Sequence, residues 1–315
     1  MLASRAGATR ICAFLLASLA AVVSSPADAE QVTVIDGGGR TVTVADTSRI
    51  LSVGGDVTEI LYALGAGSRI VAVDTTSQFP PSALKEKKSV GYMRALSSEG
   101  VLSVGATVVI ASEAAGPPEV VKTLKSTSVP YVEVADQSSP EGIAAKVGLI
   151  AKVIGAKDEG DKLAQQMMAD FAVLAEQRAK IKRPLRALFV LAIQNGRLMV
   201  GGQTTSADAI IKLAGGINAA EGVKGFRPLP DEAVVEFSPD VILAMRRSGP
   251  SPEHDLSQLF ALKGVQATPA GKAKRIIVID GQYMLGFGPR TPAAARELMS
   301  QLYPVAVGID GNAKR

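Results

Sequence analysis

The sequence predicts an α/β chain of two Rossmann-like lobes with mostly parallel sheets, joined by a single long rigid helix, with a ligand cleft between the lobes. Three observations predict it. Short apolar runs of strand length alternate with helical patterns, which is the signature of βα units. One stretch, 158–182, has no Gly after Gly160 and no Pro before Pro184, and its apolar residues keep roughly helical spacing. Finally, LSSEGVLSVGATVVIAS (96–112) is echoed without gaps by LPDEAVVEFSPDVILAM (229–245), as expected if one βα unit recurs in each lobe.

The elements follow in order. Arg5 and Arg10 precede the apolar run Ile11–Val23, and small residues lead to Ala27-Asp28-Ala29. A basic start, a short apolar centre and an A-x-A end make a signal peptide, with cleavage expected after Ala29. The run is too short for a membrane span. Cys12 stands at its beginning, whereas a lipid-bearing Cys would stand at its end, so the expectation is periplasmic export without a lipid anchor. Gln31–Ala45 alternates around Gly37-Gly38-Gly39 and reads as a hairpin. Arg49–Val53 is a strand, and Asp56 and Thr58 open a helix ending at Gly65 and Gly67. Arg69–Asp74, Thr107–Ser112 and Pro130–Val134 are the next strands. The stretch 158–182 makes one helix about 36 Å long at about 1.5 Å per residue. Arg186–Ala192, Asp240–Met245 and Arg275–Asp280 are strands of a second lobe. The expected organisation is a leader over 1–29, a first lobe over 30–157, a backbone helix over 158–182 and a second lobe over 183–315.

Composition narrows the chemistry. With 34 Lys+Arg against 30 Asp+Glu the field is weak, and 8 Phe, 5 Tyr and no Trp make a poor base-stacking surface, so no nucleic-acid partner is expected. A single Cys excludes a disulfide framework and a thiolate metal cluster, and a single His excludes a two-His metal pair. The Gly-rich fragments lack the G-K-[ST] of a phosphate loop, and there is no G-x-S-x-G elbow. A Ser–His–Asp site would rest on His254, in the Pro-flanked acidic loop Ser251–Asp255. Nothing supplies the base, nucleophile and oxyanion group of an enzyme.

The remaining candidates are oxygen donors and guanidinium groups. Tyr62 and Tyr131 fall in core patterns. Tyr92 lies in the loop-like Ser89–Arg94, after Gly91 and two residues before Arg94. A Tyr there either lines the loop or is presented as an oxygen donor. Arg94 beside it favours the phenolate by charge and hydrogen bonding, and a phenolate suits ferric iron. Arg246 and Arg247 follow a strand end, where α/β sheets place ligand groups; they either pair carboxylates or form a solvated pair. Phe287 and Arg290 lie in the loop after the last strand and are expected to line the cleft, as are Thr75 and Thr76. Tyr283, Met93 and Met245 are further candidates for apolar contact with a ligand.

On these residues the chain resembles the periplasmic haem-binding proteins of bacterial haem ABC importers. They belong to the helical-backbone class of substrate-binding proteins, alongside cobalamin and siderophore binders. The likeness covers essentially all of the chain after the leader. It is carried by RILSVGGDVTEILYALGAGSRIVAVDTTSQFP (49–80), VGYMRALSSEGVLSV (90–104), GGQTTSADAIIKLAGG (201–216), GFRPLPDEAVVEFSPDVILAM (225–245) and GFGPRTP (286–292), of which the GYMR stretch is specific to haem binders. The resemblance implies a non-enzymatic carrier of haem b. Tyr92 matches the axial iron ligand and Arg94 the Arg that supports it. Glu99 and Glu232 match the acids that dock on the permease, and they hold equivalent places in the internal echo. Arg227 falls in the second-lobe loop near the cleft. A monomer is expected. A siderophore, cobalamin or another tetrapyrrole is the alternative ligand on the same fold, and a haem- or metal-dependent enzyme is the alternative from another class.

Some members of that family add a His from the second lobe as a further iron ligand. His254 does not stand where that His is expected, so the reading is five-coordinate ferric haem with Tyr92 as sole protein ligand. Replacing His254 with Ala is expected to leave the absorption spectrum of haem-loaded protein unchanged; a spectral shift would make His254 a ligand.

Overall fold

The computed structural model of the chain describes residues 31–246 and 256–304. The leader with Cys12, and also Arg247 and His254, lie outside the described residues. Val32–Ile35 (β1) and Thr41–Val44 (β2) form the expected antiparallel hairpin, with Val32 opposite Val44 and Ile35 opposite Thr41. Asp36 closes its turn, Oδ1 accepting from the amides of Gly38 at 3.1 Å and Arg40 at 2.8 Å. Gly37 donates its N–H to the Glu133 carbonyl at 2.7 Å and so pins the hairpin to the first sheet. A β-carbon at Gly37 would lie 2.4 Å from the Ala135 amide nitrogen, so the close approach requires glycine.

The first sheet contains β3 (Ile50–Val53), β4 (Ile70–Val73), β5 (Lys88–Ser89), β6 (Val108–Ser112) and β7 (Tyr131–Val134) in the order β5-β4-β3-β6-β7. Every pairing in it is parallel, and every residue of β3 and β6 is buried. That is why these strands read as continuous apolar runs rather than alternations.

The second sheet contains β8 (Arg186–Gln194), β9 (Arg197–Gly201), β10 (Ile217–Asn218), β11 (Phe226–Leu229), β12 (Val241–Arg246) and β13 (Ile276–Asp280). Its order is β11-β9-β8-β12-β13, with β10 against β8. Here β9 runs antiparallel to both β8 and β11, so this sheet is mixed. The reversal occurs at Asn195-Gly196, with φ of 51° and 73°. Two positive φ values in a two-residue loop make a type I′ hairpin turn, for which Asn-Gly is the strongest sequence signal. The sequence reading ends its strand at Ala192 and passes over that signal.

The long helix occupies Lys157–Ala179 and buries Gly160, Met167, Phe171 and Leu174. A β-carbon at Gly160 would lie 2.3 Å from the Ala151 side chain, which brings the long helix tightly onto the Pro140–Val153 helix of the first lobe. Toward the second lobe it packs on the Ser206–Leu213 and Thr291–Leu302 helices. Arg178 also donates to the Lys212 carbonyl at 3.4 Å.

The hydrophobic interior does not divide at this helix. One cluster runs from Val34, Ile60 and Ile143 through Met167, Phe171 and Leu174 to Phe189, Ile210 and Leu298. Each lobe keeps a second cluster on its sheet's other face, around Leu51, Met93 and Leu124 in the first and Leu188, Val200 and Val265 in the second. A shared core couples the lobes thermally. A single calorimetric transition is expected for the whole chain, and Phe171→Ala should destabilise it by about 3–5 kcal/mol without splitting it. Two resolved transitions would contradict the shared core.

Candidate functional site

The loop after β5 is built to hold one phenol out. Met93 is the plug: its side chain is buried in the first lobe's second cluster, and Thr76 Oγ1 donates to its Sδ at 3.6 Å. On either side the backbone is tied down. Thr75 N–H donates to the Gly91 carbonyl at 2.9 Å, Gly116 N–H to Met93 O at 2.9 Å, and Leu96 N–H to Gly116 O at 2.9 Å. Gly91 has φ of +90°, a conformation that favours glycine. With its neighbour buried, Tyr92 points outward and is 45% exposed. Arg94 Nη1 donates to Tyr92 Oη at 2.8 Å. The two predicted partners are thus in direct contact.

Arg227 lies exposed on β11 in register with Val200. It follows Phe226, whose ring meets Phe189 edge-on at 6.4 Å. Arg246 ends β12, exposed and in register with Asp280. A depression of about 690 Å³ on the first lobe's flank, lined by Arg40, Lys122, Lys125, Glu113 and Glu133 among others, shares no residue with the Tyr92 loop.

Phe287 and Arg290 differ from their expected place on an open cleft wall. Phe287 has φ of 46° and is 1% exposed, its ring packed in the core shared by both lobes. Arg290 is engaged by the first lobe. Its N–H and Nε each donate to Glu59 at 2.9 Å, and Nη2 stands 2.8 Å from Glu59 Oε2. Its guanidinium also lies 3.6 Å from the centre of the Phe79 ring and 5.0 Å from that of Tyr283. The cause is a carboxylate in the opposite lobe, buried on the Gly55–Ala63 helix, that needs a fork-shaped partner.

A second buried charge sits beside it. Asp56, expected at a helix start, does not cap: Gly54 is the cap residue, and Asp56 is buried against Lys146 Nζ. Thr58 likewise turns inward, sharing hydrogen bonds of 2.7 Å with Ser52 and Ser77. Lys146 Nζ also reaches Asp136 at 3.1 Å and the second-lobe Phe287 carbonyl at 3.4 Å. Burial alone would push the Lys146 ammonium down, but the two carboxylates together hold it above the usual lysine value. These groups were missed in the sequence. The signal was Lys146 on the apolar face of the 140–153 helix, three residues after Ile143 and four before Ile150, where a solvated lysine does not belong.

Two sheets flank one long helix, and an exposed, Arg-supported phenol stands on the loop after β5. The chain belongs to the periplasmic binding protein family, whose model matches residues 50–283. It is a periplasmic substrate-binding protein of the ABC importer type. Similar solved structures include periplasmic haem-binding proteins. Among them is RhuT from Roseiflexus sp. RS-1 in apo form, with 36% identity, 83% of this chain and 100% of that chain covered, and a TM-score of 0.77. A curated relative in Bacillus subtilis, the uncharacterised ABC transporter substrate-binding lipoprotein YvrC, is 26% identical over 87% of this chain and 86% of its own length. The vitamin B12-binding protein of Pectobacterium carotovorum is 24% identical over 85% of this chain and 93% of its own length.

The junction yields a test. Lys146→Met would leave Asp56 buried without its cation and should cost about 3–5 kcal/mol in urea unfolding, whereas adding Asp56→Asn should recover much of it. Equal losses in the single and double variants would show that the pair does not act as a unit.

Proposed function

We propose that the chain carries haem b in the periplasm, with ferric iron on Tyr92 as the sole protein ligand, and hands it to the membrane permease of an ABC importer. The observation that carries this reading is the 2.8 Å hydrogen bond from Arg94 to an exposed Tyr92 whose loop is fixed from below. A phenolate oxygen suits ferric iron, and a guanidinium donor stabilises the charge it bears as a ligand. The offset that lays 96–112 on 229–245 also matches Arg94 with Arg227 and Tyr92 with Gly225. The second lobe therefore repeats the guanidinium and omits the phenol, in keeping with a single protein ligand and with Arg227 facing the same ligand. Arg246 and Arg247 are the other candidates for the propionates, while Phe287 and Arg290 contribute by fixing the lobes around the cleft.

Glu99 and Glu232 are exposed in the first turns of matching helices and are the proposed docking acids. The carrier works as a monomer, released from its leader after Ala29 and free of a lipid anchor. Cobalamin is the second reading, favoured by the B12-binding relative; it makes no use of an Arg-supported phenol.

A haemin titration followed by absorption tests the proposal. Wild type should develop a high-spin ferric tyrosinate spectrum, Tyr92→Ala should lose it, and Arg94→Ala should keep it with affinity lowered about 10–100-fold. An unchanged Tyr92→Ala spectrum would put the iron elsewhere, and tight cyanocobalamin binding without haemin binding would establish the second reading.

A further inference from the structure

Laid on one another, 96–112 and 229–245 share their pattern of buried and exposed residues at every pair except Ala106/Pro239 and Ser112/Met245. They also feed the same place in each sheet: β6 beside β3 and inside β7, β12 beside β8 and inside β13. Each helix turns one aliphatic inward, Val101 at 2% exposure and Val234 at 1%. The next residue on each points out: Leu102 and Val235 are both 42% exposed. Three positions before each stands an exposed acid, Glu99 and Glu232, so on both helices acid and aliphatic share a face.

A single exposed aliphatic needs no explanation. Its recurrence at matched positions is different, because the segments have diverged around it: Gly100, Ser103 and Gly105 face Ala233, Glu236 and Ser238. Both side chains stand at the surface, outside the buried clusters.

We infer that Leu102 and Val235 are paired apolar anchors of the permease-docking face, each beside its carboxylate. The partner they fit is two copies of one subunit, each offering a cation next to an apolar contact. This rests on the docking role proposed for Glu99 and Glu232. The division of labour follows from range. Exposed carboxylates act over about 8–10 Å, steer encounter and are screened by salt, whereas aliphatic contacts act only on touching and slow dissociation.

The test uses the full mature chain loaded with haemin, binding to the haem permease–ATPase complex of its host in lipid nanodiscs, at 50 and 500 mM NaCl. Leu102→Ser and Val235→Ser should each speed dissociation about five- to tenfold at both salts, with the double variant near the product. Glu99→Gln and Glu232→Gln should slow association at 50 mM and match wild type at 500 mM. Unchanged melting temperatures would show that all variants are folded, as expected for exposed sites. Serine variants that dissociate like wild type, while the glutamine variants are impaired, would overturn the anchors and leave the docking acids standing. An effect of only one serine variant would overturn the two-copy partner. Wild type that fails to bind the complex would sink the docking reading itself.

Discussion

The structure depends on two buried carboxylates, one answered within the first lobe and the other only from the second. Asp56 and Glu59 lie one helical turn apart on the Gly55–Ala63 helix, both nearly out of reach of solvent. Asp56 is answered by Lys146, and Glu59 by Arg290 from the other lobe. A buried carboxylate without its cation is costly, so any separation of the lobes that pulled Arg290 from Glu59 would expose that penalty. The apolar interior acts the same way, since one cluster passes from the first sheet through the long helix to the second. Charge and packing together tie the two lobes to one another across the long helix.

The Tyr92 loop is ordered by bonds of its own. A rigid frame places side chains only as well as the last few backbone bonds allow. Here the loop is held by Thr75, Gly116 and the buried Met93, so the backbone that carries the phenol and its guanidinium is fixed. Pre-ordering of this kind lowers the entropy cost of any contact the phenol makes.

Much of this was legible in the sequence, for reasons that can be assigned. The strands of the parallel sheet stood out because burial on both faces makes them continuous apolar runs, and the long helix because it has no Pro and no Gly after Gly160. The Tyr92–Arg94 pair was readable because two residues in one loop stay close whatever the tertiary fold. The rest depended on distance along the chain. Glu59 and Arg290 are 231 residues apart and Asp56 and Lys146 are 90 apart, so no local pattern links them. Arg290 therefore looked like a free cleft guanidinium. Phe287 looked like a cleft aromatic because its positive φ, which turns the ring inward, is invisible in a sequence that places it between two glycines. The β8–β9 turn is another matter: Asn195-Gly196 is a local signal, legible in the sequence and passed over.

The plug-and-pointer arrangement at Met93 and Tyr92 separates two tasks within one loop. Stability rests on the buried thioether, while chemical identity rests on the solvated neighbour. Position 92 can therefore change its side chain without the packed lobe beneath registering the change. The loop is thereby free to vary what it presents at its surface while its anchorage stays fixed.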